Sequence, residues 1–403
     1  MQNIVSTIAL ALRFLLAKPL SAALNVLLLT LGLGSMCFVI VVGAQLEAAF
    51  ERDVRGIDLV VGAKGSPLQL ILAGVFHVDV PSGNIALAEL QELAKQPLVK
   101  RVIPLSLGDS LQGFRIVGTS HHYVQHYGAA LASGSLWAQP MQAVLGSQVA
   151  AAAGLQVGAQ FAGAHGLGAG GEQHGTLYSI SGVLAPCACV LDRLVLTATE
   201  SVWQVHEKAV ALDADDQKEL EAAREVTVAL VQYRSPLAAI AVPRWVNANT
   251  DMQAAAPAVE ITRLLAMLGV GTLLLKALGG VLLLVAALSV WVALWHALAE
   301  RRADLAMLRM LGAPPARLGG LLVAQALCLA AVGCLLGLLF GHLMAGGVGY
   351  LLAAQRSLHV TGWLWLPAEW AVPALALGVA LAAAAIPAWG AYRVDAAQLL
   401  HSA

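Results

Sequence analysis

Apolar residues fall into four long runs that carry almost no charge, and the stretch between the first two runs is mixed and broken like a water-soluble domain. The runs cover residues 20–45, 264–299, 318–354 and 366–389, and each exceeds the roughly 20 apolar residues that a helix needs to cross a bilayer. The second is too long for one crossing, so its first third is expected to project outside as a stalk. Lys276 then lies near the outer interface, where its amine can reach headgroups. A signal peptide would have a shorter apolar core with a small-residue cleavage site close behind it, so the first run reads as a retained anchor. Ahead of it, Ile4, Ile8, Leu12 and Leu15 recur at helical spacing beside Asn3, Ser6 and Arg13. Residues 1–19 are therefore expected to form an amphipathic helix on the inner membrane face, although a simple extension of the first spanning helix fits the same spacing.

This pattern predicts a membrane protein of four transmembrane α-helices, one N-terminal and three C-terminal, with a large α+β extracytoplasmic domain over residues 46–263 between the first two. Within that domain Leu59 to Val61, Phe114 to Val117, Leu177 to Val183, Leu194 to Thr197 and Val226 to Gln232 read as strands. Ala86 to Gln96 reads as a helix, and Ser147 enters a short helix that ends at Gly154 before a strand at Phe161. Residues 162–175, rich in glycine and carrying His165 and His174, read as a mobile loop.

Composition supports the membrane assignment: 59% of the 403 residues are hydrophobic and 12% charged, against roughly 45 to 50% apolar in soluble domains. Net charge is −1 and no basic run offers a nucleic-acid surface. The few charges of the short loops set the orientation. Arg301, Arg302, Arg309 and Arg317 lie between the second and third runs, whereas Arg356 alone lies between the third and fourth. With Arg13, Lys18 and Arg393, they place both termini (1–19 and 390–403) and the 300–317 segment in the cytoplasm, and the 355–365 loop outside. Trp363, Trp365 and Trp370 mark the outer end of the fourth helix as an aromatic belt. Gly333, Gly337 and Gly341 recur every fourth residue of the third, forming one face for close helix packing, within the chain or between subunits.

Candidate chemistry is sparse. The turn Gly62-Ala63-Lys64-Gly65-Ser66 lacks GxxxxGK[ST] spacing, and no such motif occurs along the chain. No GxSxG elbow accompanies Ser66, His77 and Asp79. His122 and His126, at i and i+4, are weak metal candidates, with no zinc-type Cys/His spacing around them. Cys187 and Cys189 stand too close for an unstrained bridge, leaving them as a thiol pair open to a metal or an oxidant. Cys37, Cys328 and Cys334 read as small apolar residues of the helices.

The segment Glu300-Arg301-Arg302-Ala303-Asp304-Leu305-Ala306-Met307-Leu308-Arg309-Met310-Leu311-Gly312-Ala313 is more specific. Gly312 suits a left-handed helix cap and Pro314-Pro315 prevents continuation, so residues 300–311 form a short, abruptly ended helix. Leu305, Leu308 and Leu311 give it an apolar stripe beside Arg301, Arg302, Asp304 and Arg309, a shape that fits a groove on a partner. This motif, the Gly333 to Gly341 helix, the tail Ala391-Tyr392-Arg393-Val394-Asp395 with Leu399, and Val144-Leu145-Gly146-Ser147 to Gly158 resemble the MacB/FtsX-type ABC permeases, a group related to the lipoprotein-releasing Lol permeases. Two departures are Gln325, where relatives carry a carboxylate, and the distinctive stretch from Val61 to Ile85.

The resemblance implies a multi-pass protein of the bacterial inner membrane that is not itself an enzyme. ATP and magnesium would be bound by a separate cytoplasmic ATPase, with no cofactor in this chain. Glu300, Arg301, Arg302, Asp304, Leu305, Leu308, Arg309, Leu311 and Gly312 would couple to that ATPase. A homodimer, contact with membrane lipid and a periplasmic or lipoprotein partner are implied by the same resemblance. The implied activity is mechanotransmission that exports or extracts an amphipathic, lipid-linked or peptide substrate. The alternative is a regulatory membrane scaffold that activates a periplasmic partner without moving substrate.

Overall fold

In a computed structural model, the described residues are 2–166, 173–206, 218–221, 223–300, 307, 310, 312–354 and 360–393. They fold as two compact units, one made of residues 1–46 with 268–403 and the other of residues 47–267.

The helices, in chain order, are α1 (Gln2–Leu16), α2 (Pro19–Val54), α3 (Pro67–Gly74), α4 (Leu87–Ala94), α5 (His121–His126), α6 (Ser147–Ala153), α7 (Thr199–His206), α8 (Ala238–Asn249), α9 (Pro257–Glu300), α10 (Pro315–Ala354) and α11 (Ala371–Tyr392). Among the described residues α2, α9, α10 and the segment Pro367–Tyr392, which includes α11, are long and apolar enough to cross a membrane. They have the one-plus-three arrangement that the apolar runs predict. The helices outrun those runs at several ends. Helix α9 begins at Pro257 because its first two turns, with Glu260 paired to Arg263 at 2.9 Å, are helical without being apolar. Helix α1 is separate from α2, the chain breaking at Ala17 and Lys18 before Pro19.

The helical unit has one core. Leu29, Leu33, Cys37 and Val41 of α2 meet Ala286, Val290, Leu294 and Leu298 of α9, Leu322, Ala326 and Leu329 of α10, and Ala376, Ala380 and Ala383 of α11. Each set repeats at three or four residues, which puts it on one helix face. The opposite faces are apolar too: Leu273, Leu284, Leu335 and Leu343 are all more than half exposed. Such a continuous apolar surface is what a lipid solvent selects and water does not.

The inserted unit contains twelve strands among its described residues: β1 (Leu59–Ala63), β2 (Ile85–Ala86), β3 (Val99–Leu111), β4 (Phe114–Thr119), β5 (Leu131–Gly134), β6 (Gln142–Leu145), β7 (Gln160–His165), β8 (Gln173–Leu184), β9 (Val195–Ala198), β10 (Glu225–Val226), β11 (Val228–Tyr233) and β12 (Met252–Ala255). Ten of these form one sheet in the order β12-β1-β11-β3-β4-β9-β6-β8-β5, with β7 pairing β3 and β8, while β2 and β10 form a separate pair. Two buried clusters flank the sheet. One gathers Leu59, Val61, Leu93, Val231 and Val246, and the other Phe114, Ile116, Leu145, Phe161 and Tyr178.

Two local expectations are corrected here. Residues 162–175 are not one loop, because residues up to His165 belong to β7 and those from Gln173 to β8. Glycine misleads at this point: Gly163 is in the strand because a Cβ there would stand 3.1 Å from Ile116 Cδ1, so close packing, not mobility, calls for it. Residues 167–172 lie outside the described residues. Cys187 and Cys189 are joined to each other by a disulfide and are not a free thiol pair. Ala188 between them takes φ 53°, a left-handed conformation that turns the two side chains toward one another.

Candidate functional site

Of the segment expected to meet a partner ATPase, Glu300, Met307, Met310, Gly312 and Ala313 are among the described residues. Glu300 closes α9 and forms an exposed ion pair with Lys18, the residue just ahead of α2. Gly312 has φ +93°, the conformation in which glycine ends a helix without steric cost, and α10 starts three residues later at Pro315. Met307 and Met310, absent from the sequence-based set, are 57% and 61% exposed and three residues apart. Flexible, polarizable methionines suit an adaptable contact surface. Arg301, Arg302, Asp304, Leu305, Leu308, Arg309 and Leu311 lie outside the described residues.

The glycine ladder of α10 packs within the chain. A Cβ on Gly333 would lie 2.6 Å from Leu29 Cβ, on Gly337 3.0 Å from Leu33 Cβ, and on Gly341 2.6 Å from Cys37 Cβ. The partners on α2 are themselves four residues apart, so the two helices mesh turn by turn. Beyond this seam, His342 bridges the Gly362 carbonyl at 2.8 Å and Glu369 Oε2 at 2.8 Å, while Glu369 Oε1 accepts from Leu366 N–H at 2.7 Å. Gln45 both donates to the Thr361 carbonyl and accepts its N–H, each at 2.9 Å.

In the inserted unit the Val144 to Gly158 stretch has a clear structural basis. Gly146 passes so near the backbone of Leu191 that a Cβ would stand 2.1 Å from its carbonyl oxygen. Ser147 then donates to Asp192 Oδ1 at 2.8 Å, the oxygen that also accepts Cys187 N–H at 3.0 Å. Ser66, His77 and Asp79 do not form a catalytic group. Ser66 caps α3, Asp79 accepts its neighbour's N–H from Val80, and His77 is buried with Nε2 2.8 Å from the Tyr123 hydroxyl. Burial pushes His77 well below the ordinary imidazole range.

The two weak metal candidates each have a separate partner. His122 Nδ1 pairs with Gln125 Oε1 at 3.0 Å, and His126 Nδ1 accepts from Gln232 Nε2 at 2.9 Å. Other histidines converge instead. Asp109, a carboxylate in β3 whose side chain is 2% exposed, has His174 Nε2 at 3.1 Å and His165 Nδ1 at 3.4 Å from Oδ1, and His206 Nε2 at 3.1 Å from Oδ2. Strand pairing places His165 directly opposite Asp109, β8 brings in His174, and the last residue of α7 supplies His206. Burial alone would raise the Asp109 carboxyl, but hydrogen bonds from His206 and His174 offset it and hold the group below its usual value. This cluster was missed because its members are scattered over almost 100 positions. The available signal was a lone aspartate inside the apolar strand Leu105-Ser106-Leu107-Gly108-Asp109-Ser110-Leu111.

The FtsX-like permease C-terminal family matches residues 276–396, and the MacB-like periplasmic core domain matches residues 22–230. No curated protein matches the chain in sequence. The chain is similar to the periplasmic region of MacB from Actinobacillus actinomycetemcomitans, at 12% identity and a TM-score of 0.35, over 52% of this chain and 95% of that one. It is also similar to the extracellular domain of the noncanonic ABC-type transporter YknZ from Gram-positive bacteria, at 11% identity and a TM-score of 0.32, over 49% of this chain and 98% of that one. With the core-domain family spanning more than half of the sequence and the FtsX-like family covering most of the C-terminal helical region, the chain belongs to the MacB/FtsX-type permeases, membrane components of ABC-type transporters.

Proposed function

We propose that the chain is the energy-coupling permease subunit of an ABC-type complex, working as a homodimer with a separate cytoplasmic ATPase that binds ATP and magnesium. The observation that carries this reading is the FtsX-like match over residues 276–396, which encloses the Glu300 to Ala313 motif. ATP-driven closure of the partner pushes the 300–311 segment, and the movement reaches the extracytoplasmic domain, where it exports or extracts an amphipathic, lipid-linked or peptide substrate. Two features support such a lever. Helix α10 is locked to α2 by the glycine seam, so a push on the 300–317 segment is not absorbed by loose packing. Both junctions between the two units also fall within helices, α2 and α9, which transmit displacement better than loops.

The arginines of the short loops support an orientation in a bacterial inner membrane with both termini in the cytoplasm. The test is purification of the full-length chain in detergent with identification of what accompanies it. An ABC ATPase at one copy per permease, with its hydrolysis raised by a translocated species, supports the reading. A stable preparation with no ATPase refutes it, and stimulation of a periplasmic enzyme with no translocated species would make the chain a regulatory scaffold.

A further inference from the structure

We propose that Asp109, His165, His174 and His206 form a binding site for one divalent transition-metal ion of the zinc class. The candidate ligand atoms, one from each residue, all lie within 4.8 Å of one another. Tetrahedral ligands on bonds of about 2.0 to 2.1 Å stand roughly 3.3 Å apart. Asp109 Oδ1 stands 3.1 Å from His174 Nε2 and 3.4 Å from His165 Nδ1, so the two edges that meet at that oxygen already have that length, and His206 Nε2 lies 3.1 Å from Oδ2 of the same carboxylate.

The donor set selects the ion. Three neutral imidazole nitrogens and one carboxylate oxygen match zinc and its first-row neighbours, whereas magnesium and calcium require mostly oxygen. Four protein ligands fill a tetrahedron and leave no open position, which makes the site structural and not catalytic. Access is not obstructed: the His165 and His206 side chains are 53% and 37% exposed, whereas Asp109 at 2% and His174 at 12% form the floor. The rings pack edge to face, with centroids 4.2 Å apart for His165 and His174 and 5.1 Å for His174 and His206, so little rearrangement is needed to close on an ion.

The ligands come from β3, both arms of the β7–β8 hairpin and the end of α7. A bound ion would therefore tie the hairpin to the helix, a link that the sheet hydrogen bonds do not provide. Occupancy fixes these elements to one another and makes the inserted domain responsive to metal availability. A carboxylate that merely accepts histidine hydrogen bonds predicts the same separations but no ion.

The experiment uses the full-length chain in detergent without a polyhistidine tag, stripped with chelator and dialysed. Zn2+ is titrated against a chromophoric competitor, with Mg2+ and Ca2+ as controls and bound metal counted by mass spectrometry. One equivalent of zinc per chain is expected, with a rise in the unfolding temperature that neither control ion gives. His165→Gln and His206→Gln, at exposed positions that do not support the core, are each expected to weaken binding by more than tenfold and to abolish that rise. His122→Ala with His126→Ala is expected to change nothing. The proposal fails if wild-type protein binds no zinc, if the two ligand variants keep one equivalent at unchanged affinity, or if calcium or magnesium binds equally well.

Discussion

Gly337 faces Leu33 so closely that a Cβ on the glycine would stand 3.0 Å from the leucine Cβ and 3.2 Å from the backbone nitrogen of Gly34. Backbone cannot move aside as a flexible side chain can. Gly337→Leu is expected to destabilise the helical unit by about 1 to 3 kcal/mol or more, the usual cost of overpacking. Gly347→Ala on the same helix, where nothing lies within 4 Å, serves as control and is expected to leave stability unchanged or improved. Thermal unfolding of both variants in detergent decides it, and equal stability would mean that the seam is not a packing constraint.

The coupling motif can be tested without knowing the substrate. Leu308→Asp places a carboxylate in the proposed apolar contact, where an unpaired buried charge costs several kcal/mol. The ATPase is expected to be lost on purification of this variant while membrane insertion is normal. Joint reversal of Arg301, Arg302 and Arg309 is expected to weaken docking less and in a salt-dependent way, since rim charges act through steering. Retention of the ATPase with full activity in both variants would remove the coupling assignment.

Topology is open to labelling. Gly175→Cys, at an exposed position of β8 with open space around it, is expected to react with a membrane-impermeant thiol reagent in intact cells. Ala303→Cys is expected to react only after the membrane is breached. The reverse pattern would invert the orientation.

His77 links stability to acidity. Its folded-state value lies well below the ordinary 6.5 because the ring is buried, so the folded form stays neutral where the unfolded chain takes up a proton. Its contribution is fully present above about pH 6.5 and declines as pH falls below it, by up to about 1.4 kcal/mol per pH unit. His77→Asn removes the titration, and asparagine tolerates the φ of 55° at this position. The loss of stability between pH 7 and pH 5.5 is expected to be smaller in this variant by roughly 1 kcal/mol, read by chemical unfolding of the full chain. An identical pH dependence would show that His77 is not the titrating group.

The spanning helices were legible because each needs only a local run of apolar residues, and so was the left-handed backbone of Gly312. The strands around the histidine cluster were less so. Gly163 and the polar start of β8 lack the alternation of a half-buried strand, and the pairing of β7 is set in part by Asp109 and Ser110 of β3, more than 50 positions earlier. The cluster depends on that pairing, since Asp109 meets His165 only through strand register. By contrast, the helical spacing of His122 and His126 was correct yet uninformative, because each side chain finds its own glutamine. Spacing on one element identifies a shared face, not a shared ligand.

The position of β1 in the sheet has a consequence for synthesis. Leu59–Ala63 is hydrogen-bonded between β11 and β12, so the first strand made is held only by two of the last. At ribosomal rates of roughly 5 to 20 residues per second, the 170 or so residues from β1 to β11 take about 10 to 35 seconds to emerge. Throughout that interval both edges of Leu59-Val60-Val61 are unpaired, and the three side chains are among the most deeply buried of the finished domain. A nascent chain in this state is a natural client for chaperones, and a truncation anywhere before residue 228 leaves this apolar strand without a partner.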